Sequence, residues 1–154
     1  MNKQPEYTWS ERYGTATCTL FYKNYEFTGV ANCHPDDQDM MSKLTGQTIA
    51  EYRATLQYLR FIRDCELQPQ LKALKQLYYS INYSKYFNPH SYEAQMLYRQ
   101  INILEEDIKA IKDEIERVKI ESKSYIEQKE VDRAKIRALK VKKALVENNQ
   151  EICN

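Results

Sequence analysis

LYRQINILEEDIKAIKDEIERV, residues 97–118, decides how this chain is read. A heptad frame enters at Leu97 and runs without a shift to Val146. Its d positions are Leu97, Leu104, Ile111, Val118, Tyr125, Asp132, Leu139 and Val146. Its a positions are Ile101, Ile108, Ile115, Ser122, Lys129, Ile136 and Lys143. The first three heptads are apolar at every a and d position, the pattern of a narrow seam that supercoils with a facing helix. The expectation is a C-terminal helix over residues 91–148, about 87 Å long at 1.5 Å per residue. Leu97, Ile101, Leu104, Ile108, Ile111, Ile115 and Val118 would form its oligomerisation seam, making a second copy of the chain the first expected partner.

Charge along this rod is uneven. Glu105 to Glu116 holds six acids against two lysines, and Lys129 to Lys143 holds seven bases against Glu130 and Asp132. That polarity favours antiparallel pairing, acidic end to basic end, whereas the g-to-e pairs Asp107 with Lys112 and Glu114 with Lys119 suit a parallel dimer. Both orientations stay open. No strong breaker near Ser122-Lys123-Ser124 supports folding the rod back on itself.

Upstream, Ala16, Cys18, Leu20 and Tyr22 alternate with polar residues, and Tyr25 and Phe27 resume the pattern after Lys23-Asn24. This predicts a β-hairpin over 15–31 with a two-residue turn in which Asn tolerates positive φ, and Gly29 marking a bulge. An isolated hairpin is marginal, so helices over 35–65 should cover it. His34-Pro35-Asp36-Asp37 reads as a helix entry, Gly46 as its stop, Thr45 or Thr48 as the cap of a second helix, and Pro69 as an interruption or kink beyond which Leu71, Leu74, Leu77, Tyr78 and Ile81 continue a helical stripe. Asn88-Pro89 or Ser91 can cap the final helix. The fold class is α+β, mostly α: an α+β head over 1–66, then a helical region over 67–154.

The 154 residues carry a net charge of +1, which argues against strong non-specific binding to phosphates or acidic lipid. No apolar run approaches the roughly 20 residues that span a bilayer, so no membrane contact and a cytoplasmic location are expected. The four cysteines form no CxxC pair and read as reduced, small apolar residues. Tyrosine is the oddity, at 13 residues beside one Trp and four Phe. Such rings suit half-buried surfaces and interfaces, and Tyr83, Tyr86 and Phe87 in the segment 78–92 are the candidate partner-binding residues.

No motif carries recognisable chemistry. Cys33-His34 with Asp36, Asp37 and Asp39 is the densest set of metal-ligand types, but paired knuckles are missing. His34 and His90 sit in no nucleophile signature, and no phosphate-cradling glycine loop occurs. The expectation is a non-enzyme without catalytic residues, metal or cofactor. Nucleic acid is the alternative partner: Arg133, Arg137, Lys140 and Lys143 in the basic tract could track phosphates.

Phe27-Thr28-Gly29-Val30-Ala31-Asn32-Cys33-His34-Pro35-Asp36-Asp37, with Gly46 and Ile49-Ala50-Glu51-Tyr52-Arg53-Ala54, resembles a segment of small uncharacterised bacterial proteins. That module is similar to part of a double-stranded-RNA-binding-type fold, a helix packed on antiparallel strands. Folds of that type place lysines at the start of the second helix, where this chain has Thr45-Gly46-Gln47-Thr48 with only Lys43 nearby. The chain as a whole resembles accessory proteins of phages and prophages of Gram-positive bacteria. The resemblance implies a cytoplasmic phage-related protein and carries no activity. The expected function is a non-enzymatic interaction protein. It would modulate a host machine, for example as an anti-CRISPR-like inhibitor of a defence nuclease, by occlusion or oligomerisation.

Overall fold

The computed structural model describes residues 3–33, 42–83 and 88–152, with side chains to residue 144. The fold is α+β and mostly α. Strands β1 (Glu6–Ser10), β2 (Thr15–Tyr22) and β3 (Tyr25–Asn32) form an antiparallel sheet in the order β1-β2-β3. Helix α1 (Lys43–Phe61), a π-helical turn (Ile62–Leu67), α2 (Gln68–Asn82) and α3 (Tyr92–Ile152) follow.

The expected hairpin is present in unbroken register from Thr15 opposite Asn32 to Tyr22 opposite Tyr25. Its turn takes positive φ at Lys23 (53°) rather than at Asn24. The sequence reading missed β1, whose Tyr7 and Trp9 alternate onto the same face as Cys18 and Ala16. The other face carries threonines, with Thr8 bonded to Thr17 and Thr19 to Thr28 across the strands.

Gly29 is not a bulge: it lies in register opposite Cys18. A Cβ there would come within 1.9 Å of the Ala50 carbonyl oxygen and 2.5 Å of the Ala54 nitrogen. The helix backbone therefore lies directly on the strand, and the core between them is built of small residues, Ala16, Cys18, Ala31, Ala50 and Ala54. Gly46 is likewise no helix stop. It sits inside α1 because a Cβ would press on Ala16 at 2.9 Å and on the Trp9 ring. The helix cap is Ser42, whose Oγ accepts from the Thr45 N–H at 3.2 Å. The helix entry expected at His34–Asp37 lies outside the described residues.

Near Pro69 the α-helical pattern is interrupted by a π turn, and the helical path continues beyond it. Pro69 follows that turn, in which the Gln68 N–H reaches Arg63 O, and it occupies the first turn of α2, where a missing N–H costs nothing. The boundary expected between residues 66 and 67 thus falls inside a continuous helical stretch. Glu66 in the π turn accepts from the Tyr22 hydroxyl at 2.9 Å and from Lys23, clamping the hairpin tip to the joint. Tyr22, Tyr25, Phe27, Tyr58 and Phe61 pack as neighbouring rings beside it.

Helix α3 starts where the sequence indicated, with Ser91 Oγ accepting from the Ala94 N–H at 3.2 Å, and is unbroken through Ser122–Ser124. It runs antiparallel to the α1–α2 arm: Tyr52 stacks near Tyr125, Lys75 pairs with Glu105, and Tyr78 lies near Tyr98. The arm covers the seam. Ile101, Ile108, Ile115 and Val118 are buried, and Leu59, Leu56, Tyr52 and Tyr58 pack with Ile111, Ile115 and Val118; Leu97 and Leu104 are half-buried. This corrects the expectation that the seam requires a second copy. Its partner is the same chain, because the π turn carries α2 onto α3 beyond the reach of α1.

Candidate interaction surface

The free end of this helical hairpin is poorly covered. No residue of α2 is fully buried, since α3 packs on one side of it and nothing described lies on the other. Leu77, Tyr79 and Ile81 on α2 are exposed, as are Tyr92, Tyr98 and Ile103 on α3, and Tyr83 at the end of α2 is 90 % exposed. Tyr78 holds the two helices together here, its ring 6.2 Å from those of Tyr79 and Tyr98. An open groove of about 690 Å³ runs from this end along the seam, lined by Leu71, Lys72, Lys75, Tyr79, Ile108 and Lys112. Of the expected partner-binding residues, Tyr83 belongs to this surface; Tyr86 and Phe87 lie outside the described residues. Sequence reasoning missed Tyr98 and Ile103, although both are large and fall at e and c positions, off the seam.

The basic tract is at the opposite end. From Tyr98 to Lys135 along α3 is about 55 Å. Arg133 is half-buried and borders a small pocket with Trp9, Ala31 and Ser42, whereas Arg137, Lys140 and Lys143 are exposed. The exposed tyrosines of the hairpin's free end and the basic tract therefore do not share a surface, although Lys129 lies over the Tyr125 ring.

The head holds one polar cluster under its sheet. The Tyr7 hydroxyl lies among the Cys18 thiol and the Glu51 carboxylate, and its pKa is pushed up to about 12, first by burial and then by these two neighbours. Burial, with Glu51 adding to it, also raises the Cys18 thiol. A thiol held protonated is a poor nucleophile, so the cluster locks β1 to α1 rather than offering reactive sulfur. Among the described residues no three His, Cys, Asp or Glu side chains converge as metal ligands. His34, Asp36, Asp37 and Asp39 lie outside them. No described helix is long and apolar enough to cross a membrane. Compared with known proteins, the chain matches no family model, no curated protein and no solved structure.

Proposed function

We propose that this chain is a non-enzymatic interaction protein that grips a protein partner with the tyrosine-rich end of its helical hairpin. One observation carries the reading: Leu77, Tyr79, Ile81, Tyr83, Tyr92 and Tyr98 are all left exposed at one end of the fold. Single exposed apolar residues are ordinary, but a group of them is the mark of a contact surface, and tyrosine anchors supply much of the energy in such contacts. The stiff two-helix arm holds this end away from the sheet, which suits action by occlusion. In the phage setting that the sequence resemblance implies, the partner is a host machine in the cytoplasm, such as a defence nuclease.

The test compares the full chain with its Tyr79→Ser/Tyr83→Ser variant. Both side chains are exposed, so the circular dichroism spectra should coincide. The reading requires a host protein retained by the wild type and lost by the variant, and a gain in phage plating on a nuclease-defended host that disappears with it. Identical capture and identical plating would remove it. The alternative, a nucleic-acid-binding accessory factor, draws support from the exposure of Arg137, Lys140 and Lys143. No aromatic residue falls within the tract itself, from Lys129 to Lys143, to stack bases. A low-salt gel shift lost on Arg137→Glu/Lys140→Glu would favour it.

A further inference from the structure

The two edges of the sheet are treated differently. Bonded and non-bonded pairs alternate along an antiparallel ladder. The Cys33 N–H reaches Gly14 O at 2.8 Å, so the even-numbered residues of β2 bond to β3 and its odd-numbered residues bond to β1. The outward backbone groups of β3 are therefore those of Thr28 and Val30, and α1 covers them: Gln57 donates to Thr28 O at 3.1 Å and Arg53 donates to Val30 O. The outward groups of β1 are the N–H and C=O of Tyr7 and Trp9. No strand lies beyond β1, and among the described residues no side chain bonds to its edge as Arg53 and Gln57 bond to that of β3. Helix α1 packs mainly on β2 and β3, which leaves Tyr7 42 % exposed beside the open edge. An open edge is a template for another strand, and natural sheets block the edges that must stay single.

We infer that β1 is the interface for a second copy of this chain, the two β1 strands pairing antiparallel about a two-fold axis at Thr8 and joining two three-stranded sheets into one. The strand is complementary to itself in that register. Tyr7 faces Trp9 of the second copy, and each such pair exchanges its outward N–H and C=O groups. The same pairing sets the Tyr7 and Trp9 rings side by side on the helix-facing side of the sheet, a favourable cross-strand pair. On the other side Thr8 meets Thr8, extending the threonine rows in which Thr8 bonds Thr17 and Thr19 bonds Thr28. Glu6 faces Ser10, so no like charges stand opposite each other. Pro5 fixes the register. Sliding to set Tyr7 on Tyr7 brings Trp9 opposite Pro5, which has no N–H to give, and sliding the other way sets Tyr7 opposite Glu11, outside the strand. The contact lies on the sheet, apart from the tyrosine end of the helical hairpin, and does not depend on that surface.

Light scattering over a dilution series of the full chain should show a dimer that dissociates on dilution. Thr8→Lys sets two lysines against each other on the axis and Thr8→Glu sets two carboxylates, and each should weaken association at least about tenfold. Thr8 is exposed, so the circular dichroism spectra should stay unchanged. An equimolar mixture of the two variants should regain the dimer, because lysine then faces glutamate. Thr28→Lys, on the same side of the sheet but at the covered edge, should dimerise as the wild type does. Amide exchange at Tyr7 and Trp9 should be slow in the dimer and fast in Thr8→Lys. The proposal falls if the wild type is monomeric at every concentration, which would leave the edge to a strand of another protein. It falls equally if Thr8→Lys still dimerises or if the mixture does not. Loss of the dimer on Tyr79→Ser/Tyr83→Ser instead would move the interface to the tyrosine end and overturn it as well.

Discussion

Helix α3 is one helix with one frame and two surroundings. From Ile101 to Val118 its seam residues are buried under α1, the π turn and α2; at Ile136 and Leu139 the same frame faces outward. The stretches differ in sequence, since Lys129 and Lys143 at a and Asp132 at d interrupt the outer seam. They differ also in the reach of the arm, whose helix α1 begins at Lys43, level with about residue 134. A heptad pattern therefore reports which side of a helix wants cover, whereas the supplier of that cover depends on where other elements begin and end.

The sharpest way to break this comparison is to place the same charge in both stretches. Ile115→Asp puts a carboxylate against Leu59 and Ile111 with no partner, and the lost packing plus the buried charge should cost about 4 kcal/mol or more. That is most of the stability of a small domain. Leu139→Asp should change stability by no more than about 0.5 kcal/mol, since the position is exposed. Urea denaturation of the two variants checks both figures. Equal losses would mean that the outer stretch is covered as well, by a second copy, and light scattering would then show it.

Gly29→Ala should come next in size. The new methyl meets backbone, Ala50 O and Ala54 N, which cannot swing aside as a side chain could. Helix α1 must lift from the sheet, and overpacking of this kind costs about 3 kcal/mol. Because α1 also covers Ile115 and Val118, the variant sharpens the comparison: increased proteolysis should spread from the sheet into the covered stretch of α3 and leave the outer stretch unchanged. Damage confined to the sheet would show that the head and the covered seam are not one packing unit.

What could be read from the chain alone follows from the range of the interactions involved. The hairpin, the Ser91 cap and the direction of the α3 seam depend on neighbours a few residues apart, and local pattern conveys them. Gly29 and Gly46 were misread because their reason is distant: each has no side chain so that a strand and a helix far apart in sequence can touch. Pro69 signals an interruption in the helical stripe, whereas the π turn that accommodates it leaves no compositional trace. Strand β1 offers only Tyr7 and Trp9 as an alternating pair, too short a pattern to announce a strand. At the candidate site Tyr83 was found from composition, whereas the exposure of Leu77, Ile81 and Tyr98 follows from α2 having only one packed side.

The smallest expected effect concerns the joint that brings α2 onto the seam. Glu66 in the π turn is held below the usual carboxylate range, chiefly by the hydrogen bond from Lys23 and further by the Tyr22 hydroxyl. A carboxyl whose folded pKa is depressed stabilises the fold above its unfolded value, and that contribution fades as pH falls through the folded value. Glu66→Gln should therefore lower the melting temperature slightly at neutral pH, and the gap to the wild type should narrow at an acid pH low enough to protonate the native carboxyl as well. Calorimetry at the two pH values measures it. A gap of the same size at both would assign the role of Glu66 to packing at the joint rather than to its charge, and the hold of the hairpin tip on the arm would then rest on the rings of Tyr22, Tyr58 and Phe61.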